Sequence, residues 1–356
     1  MYLNPEARSH SAPNPPPPGD GAARTFHAGL PGYAPTPLTE LPELATELGV
    51  GRLLVKDESS RLGLPAFKIL GASWAVALLL ADRFGLAGPL DLERLRTAAA
   101  REPVVLVTAT DGNHGRALAR MARLVGAHAV VFVPDVLEHR TVDLIAGEGA
   151  EIEWVDGDYD EAVRRAAKYA DRTGAELVQD TAWDGYERVP AWIVDGYRTL
   201  LAEIDERVTP DLVVVPAGVG SLAQAVVTHY RGRAHVVTAE PDSADCVRRS
   251  LLAGRPVRIR TGVTSMAGLN CGTPSSAAWP YLLAGLSGAV AVGEEQDAAA
   301  VADLARLGVA AGPCGAAALA GARLLPLDRL GLDHTATVVL ICTDGAQPLA
   351  PAHGRT

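Results

Sequence analysis

Lys68 lies inside an apolar run, with Ala66 and Phe67 before it and Ile69, Leu70 and Gly71 after it. An ammonium is a strongly hydrated point charge that ordinarily stays in water. Between Phe67 and Ile69, just past the turn residues Gly63 and Pro65, this amine is expected in a dry pocket. Desolvation there lowers its pKa and suits it to Schiff-base chemistry. The competing reading is a solvated lysine on an amphipathic helix.

Three strand-end loops could meet it. Thr108–Gly115, TATDGNHG, offers close backbone approach at two glycines, a donor in Asn113 and a charge in Asp111. A helix cap is the competing role for Asp111, and His114 reads as a scaffold residue. Pro216–Ser221, PAGVGS, follows the apolar run LVVV. Its backbone N–H groups at Gly218, Val219, Gly220 and Ser221 could cradle a phosphate, helped by the Ser221 hydroxyl and a helix dipole. Gly218, Gly220 and Ala223 also fit G-x-G-x-x-A, with Glu240 lying 22 residues beyond Gly218, so a dinucleotide and a monophosphate cofactor both remain open. Val338–Gly345, VVLICTDG, brings Cys342, Thr343 and Asp344 to the mouth of a sheet.

The elements that must position these loops follow a regular pattern. Strands are expected at Leu53–Val55, Val104–Thr108, Ala129–Val133, Glu151–Val155, Leu177–Gln179, Leu212–Val215 and His235–Ala239. Helices are expected at Glu40–Leu48, Phe67–Phe84, His114–Val125, Val136–Gly147, Tyr159–Thr173, Arg188–Glu206 and Leu222–Tyr230. Such alternation means α/β architecture, with parallel sheets covered on both faces and ligands outside the carboxyl ends of strands. Residues 1–25, rich in Pro, Ser and Gly, read as a disordered or loosely docked arm.

Composition bounds the function. The chain has 356 residues, 48% hydrophobic and 21% charged, enough for a sizeable core. A formal net charge of −10 argues against nucleic acid as a partner. Apolar runs such as Ala75–Ala81 are too short to cross a bilayer, and MYLNPEARSH lacks a secretory pattern. Cys246, Cys271, Cys314 and Cys342 have no metal spacing, so no metal and a reducing cytoplasm are expected.

Together the segments KDESSRLGLPAFKILGAS, TDGNHGRALA, VQDTAWDGYERVPAWIVDGY, PAGVGS, AEPDSADC and MAGLNCG resemble the pyridoxal-phosphate enzymes of fold type II, the tryptophan synthase β-like class. Within it they are most similar to the 2,3-diaminopropionate ammonia-lyases, from Phe26 to Gly345. The resemblance implies two parallel-sheet, three-layer domains with the active site in the cleft between them. A large domain would comprise residues 26–68 and 185–356, with residues 69–184 inserted as a smaller one. It implies a homodimer with a small amino-acid substrate and no membrane partner.

The same resemblance makes Lys68 the Schiff-base lysine, flanked by Phe67. Asn113 would contact the cofactor's 3′-oxygen, and Ala217, Gly218, Val219, Gly220 and Ser221 its phosphate. Cys342 or Thr343 would face the pyridine nitrogen, with Asp344 beside them as a possible intruder. Asp180 would be a catalytic carboxylate on the face opposite Lys68, although a helix cap is its alternative role. Asp111 stands where related dehydratases have Ser, so it would welcome a substrate's second ammonium. The expected reaction is β-elimination of D- or L-2,3-diaminopropionate to pyruvate and ammonia. The alternatives are a serine or threonine dehydratase, a β-replacement enzyme, or a non-catalytic amino-acid sensor. Family members carry a Ser-Gly-Glu-Ser-Gly-like loop where this chain has Ala311-Gly312-Pro313-Cys314-Gly315. Cys246 and Cys271 are expected as inert core thiols, with a meeting near the substrate entrance as the alternative.

Overall fold

The computed structural model describes residues 1–4, 7 and 21–345. Its strands are β1 (Tyr2–Leu3), β2 (Leu38–Glu40), β3 (Arg52–Asp57), β4 (Val105–Ala109), β5 (His128–Pro134) and β6 (Glu151–Val155). They continue with β7 (Glu176–Leu177), β8 (Leu212–Pro216), β9 (His235–Pro241), β10 (Gly288–Val292) and β11 (Thr337–Cys342). A seven-stranded sheet runs β1-β10-β9-β8-β11-β3-β2, and a four-stranded sheet runs β6-β5-β4-β7. Pairing is parallel except at the two edges of the larger sheet, where β1 and β2 are antiparallel.

Continuous apolar strands such as LVVV in β8 are what burial on both faces requires. Val213 and Val215 join one core, with helices Lys68–Phe84, Arg188–Asp205 and Ser221–Tyr230. Their neighbours Leu212 and Val214 join a second core on the opposite face, with helix Pro313–Arg323. The smaller sheet divides likewise: Val107 and Phe132 pack with helix Tyr159–Thr173, while Leu106 packs with the helices on its other side.

Strands of the smaller sheet all lie between residues 105 and 177. Helix Lys68–Phe84 nevertheless packs closely on helix Arg188–Asp205 as well as on Asn113–Val125. Glycines permit that crossing. A Cβ at Gly71 would sit 2.5 Å from Tyr197 Cε1, and one at Gly196 would sit 2.5 Å from Leu70 O. The start of the Lys68 helix is thereby pinned to helix Arg188–Asp205.

Two expectations change at element level. Most of the Pro-rich arm lies outside the described residues, but its ends are ordered: Tyr2 pairs with Ala289, and Ala22–Ala28 is a helix. The expected strand Leu177–Gln179 stops at Leu177. There the Gln179 N–H leaves the ladder and donates to Tyr186 Oη at 2.8 Å.

Candidate active site

Lys68 is the first residue of its helix, and the turn before it is stitched to the end of β11. Phe67 N–H donates to Thr343 O, Gly345 N–H donates to Pro65 O, and Ala66 bridges Asp344. The amine is neither immersed in water nor sealed off, its side chain being 23% exposed. Lys68 Nζ lies 2.6 Å from Asp180 Oδ2 and 5.5 Å from the centre of the Phe67 ring. The expectation of a lowered lysine pKa is corrected by this contact. Burial does act downward, but the charge and hydrogen bond of Asp180, with Tyr197 and Asp111 behind, raise the pKa above that of a free lysine. Asp180 is lowered correspondingly: burial acts upward, and the Lys68 ammonium and His114 overrule it. The two groups expected on opposite faces are in direct contact here.

Asp180 is no helix cap. Its Oδ1 faces Gln179 Nε2 at 3.3 Å, while its carbonyl accepts the Ser221 hydroxyl at 2.9 Å. Asp111 is also released from capping. Thr110 Oγ1 accepts N–H groups from both Gly112 and Gly115, each at 2.9 Å, leaving Asp111 exposed at the cleft. Partial loss of hydration pushes the Asp111 carboxyl upward, Lys68 pulls it down, and Asp180 adds to the rise. Asn113 opens the next helix, whose first N–H groups favour an anion.

Ala217 and Gly218 to Ser221 form the turn between β8 and helix Ser221–Tyr230. Gly220 has φ +97°, and a Cβ there would meet Leu282 Cδ1 at 2.6 Å, so only glycine keeps this shape. The Ser221 hydroxyl donates to Asp180 O, so the cradle relies on its backbone N–H groups and the helix start. Glu240 is removed as a ribose ligand: its carboxylate accepts from Val247 N (2.7 Å) and Arg248 N (2.8 Å), capping the following helix.

Cys342 and Thr343 now separate. The Cys342 thiol is wholly buried and donates to Asp344 O at 3.3 Å. Thr343 Oγ1 is buried with no hydrogen-bond partner. Asp344 turns away to accept Gly315 N–H at 2.7 Å, at the start of helix Pro313–Arg323. All four cysteines are free thiols. Cys246 is a buried member of the core and Cys271 packs against it, as expected of core thiols; Cys246 Sγ also lies 3.7 Å from Gly218 O, and a Cβ at Gly218 would lie 2.9 Å from Cys271 Sγ, so both flank the cradle.

Sequence reasoning passed over three neighbours. Gln179 carries the amide that touches Asp180, and Tyr159 Oη accepts from that amide at 2.8 Å. His114 Nε2–H donates to Val178 O at 2.7 Å, while Nδ1, buried without a hydrogen bond, lies 3.9 Å from Asp180 Oδ2. The only local hint was the polar pair Gln179–Asp180 after a buried apolar run.

An amine at a helix start, with an N–H cradle and an orphaned buried hydroxyl at the carboxyl ends of parallel strands β8 and β11, suits a phosphorylated pyridine aldehyde. The chain belongs to the family described as pyridoxal-phosphate dependent enzymes, whose model matches residues 30–344. The cofactor is therefore pyridoxal phosphate, and the fold is that of type II. In sequence the chain is similar to diaminopropionate ammonia-lyase of Escherichia coli (strain K12): 42% identity over 272 residues, 73% of this chain and 68% of that one. The enzyme of that name from Salmonella typhimurium (strain LT2) is 41% identical over 276 residues, covering 72% and 68%. The structure of the Escherichia coli enzyme with an aminoacrylate-PLP azomethine reaction intermediate superposes with a TM-score of 0.85 at 34% identity, covering 97% of this chain and 93% of that one. Its complex with D-serine gives 0.84 at 36% identity, covering 91% and 88%. Maize serine racemase, at 22% identity and a TM-score of 0.75, shares the fold over 92% of this chain and 93% of that one. No helix among the described residues is long and apolar enough to cross a membrane, and no group of potential metal ligands is present among them.

Proposed function

We propose that this chain eliminates the β-amine of 2,3-diaminopropionate, yielding pyruvate and ammonia, and that the residues above divide the work as follows. It is a pyridoxal-phosphate-dependent ammonia-lyase by its similarity to enzymes of that name. Lys68 would hold the cofactor's aldehyde carbon, the Gly218–Ser221 turn its phosphate, Asn113 its 3′-oxygen and Thr343 Oγ1 its ring nitrogen. Bound there, pyridoxal phosphate supplies the electron sink for charge left at Cα when a proton is removed. A neutral hydroxyl at the ring nitrogen moderates that sink, which favours elimination over transamination.

The chain's own groups do the rest. The Lys68 amine takes or returns a proton at Cα. Asp180, within 2.6 Å of that amine, would take up or return the proton that Lys68 exchanges, and use of both D- and L-substrates requires it to part from Lys68 and reach the other face of Cα once substrate is bound. The N–H groups at the start of helix Asn113–Val125 suit the α-carboxylate. Asp111, open to the cleft, complements a second ammonium and holds the leaving amine protonated. The observation that carries this substrate assignment is Asp111, an exposed carboxylate with no capping role, lying near enough to the Lys68–Asp180 pair to act on its charge. The test is keto-acid and ammonia release measured across D- and L-diaminopropionate, serine and threonine. Greater kcat/KM for serine or threonine would favour the dehydratase reading instead. A homodimer in the cytoplasm completes the proposal, and light scattering of the purified protein tests its oligomeric part.

A further inference from the structure

We propose that Gln179 is a positioning residue: its amide sets the orientation of the Asp180 carboxylate and turns the Tyr159 hydroxyl proton into the cleft. This rests on the reading of Asp180 as a catalytic carboxylate.

Gln179 is fully buried two residues past the end of β7. Its Oε1 accepts from Thr108 Oγ1 and from Ala109 N, both at 2.9 Å. A backbone N–H can only donate, so the amide cannot be flipped without losing that bond and burying two donors against each other. Nε2 therefore faces the site, where it meets Tyr159 Oη at 2.8 Å and Asp180 Oδ1 at 3.3 Å.

Two consequences follow from donor and acceptor counting. Asp180 has Lys68 on Oδ2 and Gln179 on Oδ1, so its plane is held from both sides. Tyr159 Oη already accepts a hydrogen bond from Gln179, so its own proton is free to be donated into the cleft. The anchor is rigid at each end. Thr108 and Ala109 belong to β4 in the smaller sheet, while Asp180 O is held by Ser221 and Ala182 N by Ser275 Oγ at 3.2 Å. Gln179 is thus the side chain through which the smaller sheet fixes a carboxylate that faces the larger one.

The discriminating variant is Gln179→Glu, which keeps shape and both Oε1 contacts but replaces the donor by an acceptor. Tyr159 must then turn its proton away from the cleft, and a second negative charge faces Asp180. Lys68, His114, Asp111, Tyr159, Tyr186, Tyr197 and Cys271 also face Asp180 and are unchanged, so a difference reads Gln179 alone. We expect kcat to fall at least about 10-fold with KM within about 3-fold, and the acid limb of the pH profile to move up by about one unit, the equivalent of a tenfold change in protonation. The long-wavelength absorbance of bound pyridoxal phosphate, titrated against pH, should shift its midpoint as well. Thr108→Val, which loosens one anchor and leaves the amide, should give a smaller change of the same sign, and it keeps the test alive if Gln179→Glu does not fold. A lowered Tm with an unmoved pH profile and absorbance midpoint in the variant that folds would overturn the proposal. The absorbance titration needs only bound cofactor, so it reads Gln179 even if no amino acid tested releases ammonia, the result that would instead sink the proposed activity.

Discussion

Lys68 and Thr343 show how single side chains acquire roles here. Beside Asp180 the Lys68 amine is held as an ammonium, and it would have to give up that proton before its nitrogen could bond the cofactor's aldehyde carbon. Lys68→Ala should abolish the cofactor's absorbance near roughly 410–420 nm, expected for a lysine-bound pyridoxal; retention of the band would assign another lysine. Thr343→Val removes a hydroxyl that has no other hydrogen bond, at a cost of about 1 kcal/mol in cofactor affinity, roughly fivefold in Kd. Cys342→Ala should leave that Kd unchanged and lower Tm slightly, because its thiol faces Asp344 O. Asp111→Ser exchanges a charged acceptor for a neutral one. At roughly 1.5–3 kcal/mol for a charge-assisted bond, diaminopropionate should lose about 10- to 100-fold in kcat/KM relative to serine; an unchanged ratio would strip Asp111 of its discriminating role.

At the scale of elements, the turns and crossings matter more than the helices they join. Gly220 combines φ +97° with a neighbour at 2.6 Å from any added Cβ. Gly220→Ala should therefore weaken pyridoxal phosphate binding, read by dialysis, more than Gly232→Ala, where a Cβ meets nothing. Gly71→Ala would drive a methyl against Tyr197 at 2.5 Å, and overpacking of this kind costs about 1–3 kcal/mol in denaturant unfolding. Because Lys68 opens that helix, the same variant should also disturb the cofactor's absorbance.

Across the whole molecule, the cleft rests on a buried ionic cluster behind the Lys68 turn. Arg61 reaches both oxygens of Glu203 at 2.8 Å and Glu58 at 2.6 Å, while Lys56 Nζ lies 2.5 Å from Glu203 Oε2. Burial draws Lys56 downward, outweighing its carboxylate partners, whereas Arg61 holds Glu203 at about 2 against the upward pull of burial. Of that pair the Glu203 charge is the secure one, since Arg61 grips it with two N–H groups. The sign follows directly. The folded pKa of Glu203 lies below its unfolded value of about 4.3, so its contribution is complete above that value and is lost as pH falls towards 2. Tm should drop between about pH 4 and 2, and Glu203→Gln should flatten that drop while lowering Tm at neutral pH. Arg61→Ala, which strands two buried carboxylates, should cost about 3–5 kcal/mol.

Much of this protein was legible along the chain. Apolar runs such as LVVV announce strands buried on both faces, and glycine at 218 and 220 announces a turn, because these follow from the side chains and backbone of neighbouring residues. The amine at 68 and the carboxylate at 180 could be named in the same way, but not joined: they are 112 positions apart and belong to segments that only the packing of helix Lys68–Phe84 against helices from both sheets brings together. Which of Cys342 and Thr343 keeps an unpaired polar atom, where the Ser221 hydroxyl points, and why Thr110 frees Asp111 were likewise decided in three dimensions. Each turns on whether a polar atom already has a partner: Asp180 O reaches the Ser221 hydroxyl from 41 positions away, whereas Cys342 and Thr110 find theirs within a few residues through turn geometry that residue types alone do not fix.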